Sequence, residues 1–354
     1  MTDLDQRIDQ TLRERAEGGV DTDRLLSAAV TRGRARVRRR RTAAGTALGA
    51  VAVLGLGVAI GPVRLPGSGP DVVMPGLGLP ANAPVSVVPP RADGVPGAAA
   101  RPDLIGADPR VLHFGFAPDK VRYLSWSAQG GVETAQLDVN GHTVTLELSA
   151  STEALPRRAQ GLPAELVPDL VTNGVFDGSV SRAKGPYGVT VWLRHWQPAP
   201  GVYARASVVA DDERALFDVA ATLRLDQAHG CTGPLRLTDL PAGAQLRSCW
   251  MVVGTFPAAY AVMLQVRDDE RGPALTVELQ YAGATVTDKP AANRTIGGRP
   301  AHFDPSGERL ELLDIPRAQL FAALNHKQSF NEAEAATVLL GVRVAEHLDR
   351  PATW

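Results

Sequence analysis

The chain has 354 residues, 37 Lys and Arg against 38 Asp and Glu for a net charge of −1, 44% hydrophobic residues and two cysteines. That length accommodates two or three domains, and a balance so close to neutral excludes a protein that works through bulk charge alone. The charge is nonetheless unevenly spread: Asp3, Asp5, Asp9, Glu14, Glu17, Asp21 and Asp23 crowd the first residues, and Arg34, Arg36, Arg38, Arg39, Arg40 and Arg41 follow.

Residues 1–41 read as a helical tail with a basic flank. Leu4, Ile8 and Leu12 recur every four positions behind Thr2 or Asp3, and Gly18-Gly19 ends the run. A second helix starts near Asp21-Thr22 and uses Leu25, Leu26, Ala29 and Val30. Neither stripe buries enough apolar surface to fold alone, so the tail is either a solvated juxtamembrane segment or a docking segment for a cytoplasmic protein.

Residues 42–63 carry no charged side chain. About 22 helical residues span roughly the 30 Å of a bilayer core. The expectation is a single transmembrane helix. A cleaved secretory signal is the competing reading, disfavoured by the long leading region and by Pro62 after Ala59-Ile60-Gly61. The flanking basic residues Arg36, Arg38, Arg39, Arg40 and Arg41 place the amino terminus in the cytoplasm by the positive-inside rule and can touch anionic headgroups. No aromatic or fold signature of specific nucleic-acid binding accompanies them.

Residues 64–109 are punctuated by Pro66, Pro70, Pro75, Pro80, Pro84, Pro89, Pro90, Pro96, Pro102 and Pro109. Repeated proline fixes φ and removes backbone donors, so this stretch reads as a semi-extended linker.

From Val111 the pattern changes to short alternating runs. Predicted strands are Val111–Phe116, Val121–Ser127, Thr134–Val139, Thr143–Ser149, Val189–Trp196 and Tyr203–Val209, with a hairpin at Asn140-Gly141 and a helix from Glu213 to about Leu225. The order then recurs with Leu246–Val253, Tyr260–Arg267, Ala274–Tyr281, Arg309–Leu313 and Leu320–Leu324. A closing helix follows near Ser329, with Glu332 as its capping-box partner. Shifting by about 119 positions superposes Gly178 on Gly297, Leu193 on Leu312 and Val219 on Val338. The expected class is therefore α+β: one membrane helix plus a duplicated extracytoplasmic sheet-and-helix domain, unit 1 over 110–228 and unit 2 over 229–354. Cys231 and Cys249 lie in that outer part, where a lone pair of cysteines forms a disulfide that staples the units.

Catalytic motifs fail one by one. Ser181-Arg-Ala-Lys184 matches S-x-x-K without its companion elements, and there is no G-x-S-x-G, H-E-x-x-H, phosphate-binding loop or calcium loop. Asp211, Asp212 and Glu213 read as a helix start, and His195 sits between Trp192 and Trp196 on a strand. No enzyme activity, cofactor or metal is expected. Trp126, Trp192, Trp196, Tyr203 and Trp250 are the candidate binding aromatics, with strand core as the competing use.

The tail Leu12-Arg-Glu-Arg-Ala-Glu17, continuing through Val20-Asp-Thr-Asp-Arg-Leu-Leu26 into the arginine run, resembles those of uncharacterised actinobacterial single-pass membrane proteins of the anti-sigma-factor kind. The strand-then-helix ending, Tyr203–Val209 followed by Asp211–Leu225, is similar to the sensor modules on some of these regulators. The zinc pattern H-x3-C-x2-C is missing, since residues 1–41 contain neither His nor Cys. The resemblance implies a non-catalytic extracytoplasmic sensing or binding domain that regulates a cytoplasmic partner such as a sigma factor. The alternative is a cell-surface binding or structural protein with no signalling role. In both, the chain sits in the cell membrane with its carboxyl-terminal domain outside.

Overall fold

The computed structural model describes residues 86–155, 158–159, 162–163, 175–184, 188–269, 275–283, 289–324 and 330–354. The tail 1–41, the uncharged run 42–63 and residues 64–85 of the linker lie outside the described residues. Among those described, no helix is long and apolar enough to cross a membrane.

One antiparallel sheet of 13 strands dominates. Its strands are β1 (Arg122–Gln129), β2 (Val132–Val139), β3 (His142–Ser149), β4 (Asp177–Lys184), β5 (Thr190–Ala199) and β6 (Val202–Val209). Beyond these come β7 (Gln245–Val252), β8 (Ala259–Arg267), β9 (Leu275–Ala282), β10 (Arg294–Ile296), β11 (Arg299–Phe303), β12 (Arg309–Leu312) and β13 (Ala318–Leu324). The α-helices among the described residues are α1 (Arg214–Thr222) and α2 (Glu332–Leu340), nine residues each. The expected α+β class is thus corrected to a sheet-rich one. The two stretches do not each close a small sheet with a helix of their own. They share a single sheet, because β1 and β7 pair edge to edge with Trp250 opposite Ser127 and Met251 opposite Trp126.

Spatial order is β10-β11-β12-β13-β9-β8-β7-β1-β2-β3-β6-β5-β4. Outward from the β1/β7 seam, both halves run through three meandering strands and then further strands in reverse order, three in the first half and four in the second, and in chain order each half ends in a helix. Chain leaving each helix pairs with chain that enters the same half, Leu223–Arg224 with Gly115–Phe116 and Val342–Val344 with Leu235–Leu237. Val219 on α1 and Val338 on α2 are both buried in the core, but Leu193 and Leu312 do not correspond: Leu193 faces the same side of the sheet as His195, while Leu312 faces the core, opposite to Glu311.

The alternation of apolar and polar residues explains which side packs. On β2, Ala135, Leu137 and Val139 are buried between partly exposed Thr134, Gln136 and Asp138; on β9, Leu275, Val277, Leu279 and Tyr281 alternate in the same way. These apolar residues form one core with Leu216 and Val219 of α1 and Ala335, Val338 and Leu339 of α2. The tight turn that joins β2 to β3 needs two residues with positive φ, and Asn140 (φ 53°) and Gly141 (φ 83°) supply them. The closing helix starts two residues later than expected. Asn331 caps it, its side chain accepting from Glu334 N–H at 3.0 Å while the Glu334 carboxylate accepts from Asn331 N–H at 3.0 Å.

Chain assigned by its prolines to the linker joins the domain from residue 87 onward. Val87, Ala98 and Ile105 are buried in the core, and Ala98 N–H donates to His113 C=O at 2.7 Å. Proline denies this segment a place inside a sheet but leaves it free to lie across one.

A disulfide links Cys231 and Cys249, with Cα atoms 6.1 Å apart. Cys249 lies on β7. The backbone of Cys231 is tied to the first half, its C=O accepting from Trp126 Nε1 at 2.8 Å and its N–H donating to Arg110 C=O at 2.7 Å. The bridge therefore fastens the seam.

Candidate binding site on the open face of the sheet

The face away from α1 and α2 carries the other half of each alternation, and it is polar. One register row can be followed through eleven strands: His302, Glu311, Phe321, Glu278, Met263, Trp250, Ser127, Thr134, Glu147, Arg205 and His195. At about 4.8 Å per strand it runs for roughly 50 Å. Glu147 and Glu278 occupy the same place in the two halves, three strands either side of the seam.

The first-half flank of this row is buried. In the first half Glu147, Arg205 and His195 are 7%, 1% and 5% exposed. Arg205 Nε donates to Glu147 Oε2 at 2.6 Å, and Phe176 sets its ring edge-on to both His195 (5.4 Å) and Tyr203 (5.2 Å). Burial pushes the Glu147 carboxyl above its ordinary range, against the pull of Arg205. Burial, with the Arg205 charge alongside, lowers His195 to about 4. In the second half Phe321 stands where Arg205 does. The Arg309 guanidinium lies 3.6 Å over that ring and donates to Glu311 at 3.0 Å.

The middle of the row is open. Around the seam, Ser127, Thr134, Ser248, Trp250 and Met263 are half-buried, and Gln129 and Gln265 are exposed. Here the surface sinks into a cleft of about 600 Å³ lined by Gln129, Gln245, Arg247, Ser248, Gln265, Arg267 and Asp269. That volume lies within the ~300–1,000 Å³ of small-molecule sites. Arg247 pairs with Asp269 across the cleft, and Arg267 Nε stands 3.9 Å from the same carboxylate.

One wall of the cleft is the segment Gly106–Pro109, and buried side chains fix it there. Glu133, fully buried on the core side of β2, accepts from Gly106 N–H at 2.8 Å and His113 N–H at 2.6 Å, and binds His113 Nδ1 at 2.6 Å. Gly106 has φ +68° and sits so close to the Gly130-Gly131 turn that an added Cβ would lie 2.3 Å from the Gly131 carbonyl carbon.

The structure separates the five candidate aromatics. Trp126 is in the core. Trp192 and Trp196 face the core side at its rim, under Arg182 (5.5 Å) and Arg194 (5.2 Å). Tyr203 is packed beside Phe176, and Trp250 alone among the five lies in the open middle. His195 points away from the neighbouring tryptophans, being paired in register with Arg205 while they face Val208 and Ala204. Ser181 and Lys184, three residues apart on edge strand β4, fall on opposite faces, and Lys184 Nζ donates to Thr190 instead. The expected membrane-flanking arginines 36 and 38–41 lie outside the described residues. Among the described residues no group of three His, Cys, Asp or Glu could hold a metal.

Sequence reading missed the amides and the Arg–Asp pair of the cleft. The signal was present as polar residues at every second position, Ser125-x-Ser127-x-Gln129 on β1 and Gln265-x-Arg267 on β8. That pattern ordinarily marks a solvated sheet face. No family model, curated protein or solved structure matches this chain.

Proposed function

We propose that this is a non-catalytic binding protein, held at the cell membrane by the uncharged run 42–63, whose sheet domain captures a ligand outside the cell on its open face. The observation that carries the reading is the cleft at the β1/β7 seam. It is concave, half-open, backed by a rigid sheet and lined with hydrogen-bonding side chains. The disulfide at the same seam suits an oxidising compartment, and the arginine cluster before residue 42 suits a cytoplasmic amino terminus. The tail 1–41 then engages a cytoplasmic protein, as in the anti-sigma-type regulators it resembles.

The test uses spheroplasts carrying the full chain with a different tag at each end. External protease is expected to remove the carboxyl-terminal tag and spare the amino-terminal one. Loss of both tags, or of neither, removes the outside placement. Crosslinking from the amino-terminal tag is expected to recover a cytoplasmic protein. A null result there, with deletion of residues 3–30 silent, reduces the protein to a surface-binding module.

A further inference from the structure

We infer that the ligand of this cleft is a neutral saccharide, held with one ring against Trp250 and its hydroxyls among the amides beyond. The inference rests on the binding reading above and names the chemistry of its ligand.

The lining selects by what it can exchange. Gln129, Gln245 and Gln265 each present an acceptor oxygen and a two-proton donor, and the Ser248 hydroxyl both gives and takes. A guest matches such groups when its own are also donor and acceptor at once, which describes hydroxyls. A phosphate or carboxylate offers acceptors only and needs a surplus of donors. Here Asp269 stands in the cleft and is paired with Arg247, so an anion meets a carboxylate as well as the guanidinium. A neutral polyol can instead take hydrogen bonds from the Arg247 fork and give them to Asp269.

An apolar guest finds little to replace water with, since the walls are mostly amide, hydroxyl and charged groups. A peptide has its own route onto a sheet, by adding a strand at an edge. The cleft sits at β1, β7 and β8, and both edges are far away at β10 and β4.

Trp250 supplies the remaining requirement. It lies on the same face as Ser248, two residues along β7 and therefore about 7 Å away. Its neighbours across the strands are Ser127 and Met263. Its ring is half-buried, and among the described residues its indole N–H makes no hydrogen bond. A rigid amphipathic plane, fixed beside a set of amides, suits a ring with one C–H face and a rim of hydroxyls. The wall held by Glu133 is already in place before binding, so the backbone there needs no ordering.

The experiment is calorimetric titration of the purified full chain in detergent with cellotetraose, chitotetraose and maltotetraose, and in parallel with inorganic phosphate and with trialanine. At least one of the saccharides is expected to bind. Trp250→Ala should weaken it tenfold or more, and Gln265→Ala, at an exposed position, severalfold. Gln197→Ala, an exposed position on β5 away from the cleft, should leave it unchanged. Because Gln265 is at the surface, its variant remains readable even if Trp250→Ala fails to fold. Silence from all three saccharides overturns the inference, and so does binding indifferent to Gln265→Ala. If phosphate or trialanine binds in their place and Gln265→Ala weakens it, the saccharide is wrong while the binding reading stands. If no probe binds, both lose their support.

Discussion

His195, Arg205 and Glu147 are buried together on the polar face, and each responds differently to change. An unfolded imidazole titrates near 6.5 and the buried one at about 4. Between those values the unfolded chain holds more protons, so stability is retained above pH 6.5 and lost as pH falls towards 4. His195→Gln is expected to remove a loss on the order of 1–3 kcal/mol across that window. Urea unfolding of both proteins at pH 7.5 and 4.5 measures it. Glu147 has the opposite sign. Its raised folded value favours the fold below the unfolded carboxyl range and loses that contribution as pH rises. Arg205→Met leaves Glu147 buried without its cation, at a cost of about 3–5 kcal/mol near neutral pH. That deficit should shrink as the pH is lowered, because the raised carboxyl takes up its proton sooner than an exposed one. A deficit independent of pH would assign the loss to packing instead.

The individual elements were the most legible part of the sequence. Eight-residue runs such as β2 and β9 are found within two residues of where alternation puts them, because one side faces the core and the other does not. What escaped was β4 and the pair β10 and β11. Asp177–Lys184 is an edge strand whose side chains are exposed or half-buried throughout, so nothing imposes alternation on it. Arg294–Ile296 and Arg299–Phe303 turn at Gly297-Gly298, whose glycines were visible while their polar flanks hid the strands. The α2 start shifted for a simple reason: Asn331 and Glu334 satisfy each other three residues apart, and so would Ser329 and Glu332 on spacing alone. Asn331→Ala should cost about 1 kcal/mol. Thermal unfolding by circular dichroism would register it, whereas an unchanged midpoint would mean that the cap is replaced by water. The cleft was illegible at this scale, since no one strand contains it. It takes Gln129, Ser248 and Gln265 from three neighbouring strands, together with a wall from residues 106–109.

At the scale of the molecule, the class changed because the sequence does not say whether two similar stretches will pack as separate bodies or zip together. β1 and β7 carry the answer: both are buried on the core side, both are unbulged at the shared rungs, and they pair over five residues from Ser248–Gln129 to Val252–Ser125. The disulfide reinforces that junction. Its 18-residue loop corresponds to a contribution of about 3 kcal/mol in the chain-entropy account. Cys231→Ser with Cys249→Ala should lower the stability to chemical denaturation by about that amount and leave the far-ultraviolet spectrum unchanged. A drop below half a kilocalorie would show that the seam holds unaided.

That seam also sets a rule for how such a molecule can be taken apart or inherited. Either half alone would bare the unanswered amides and carbonyls of Ser125–Gln129 or Ser248–Val252, with no proline or lysine among them to repel strangers. A fragment of this kind would find a copy of itself before it found solvent. The two halves are therefore expected to travel together, and either one made alone should self-associate through that bared edge.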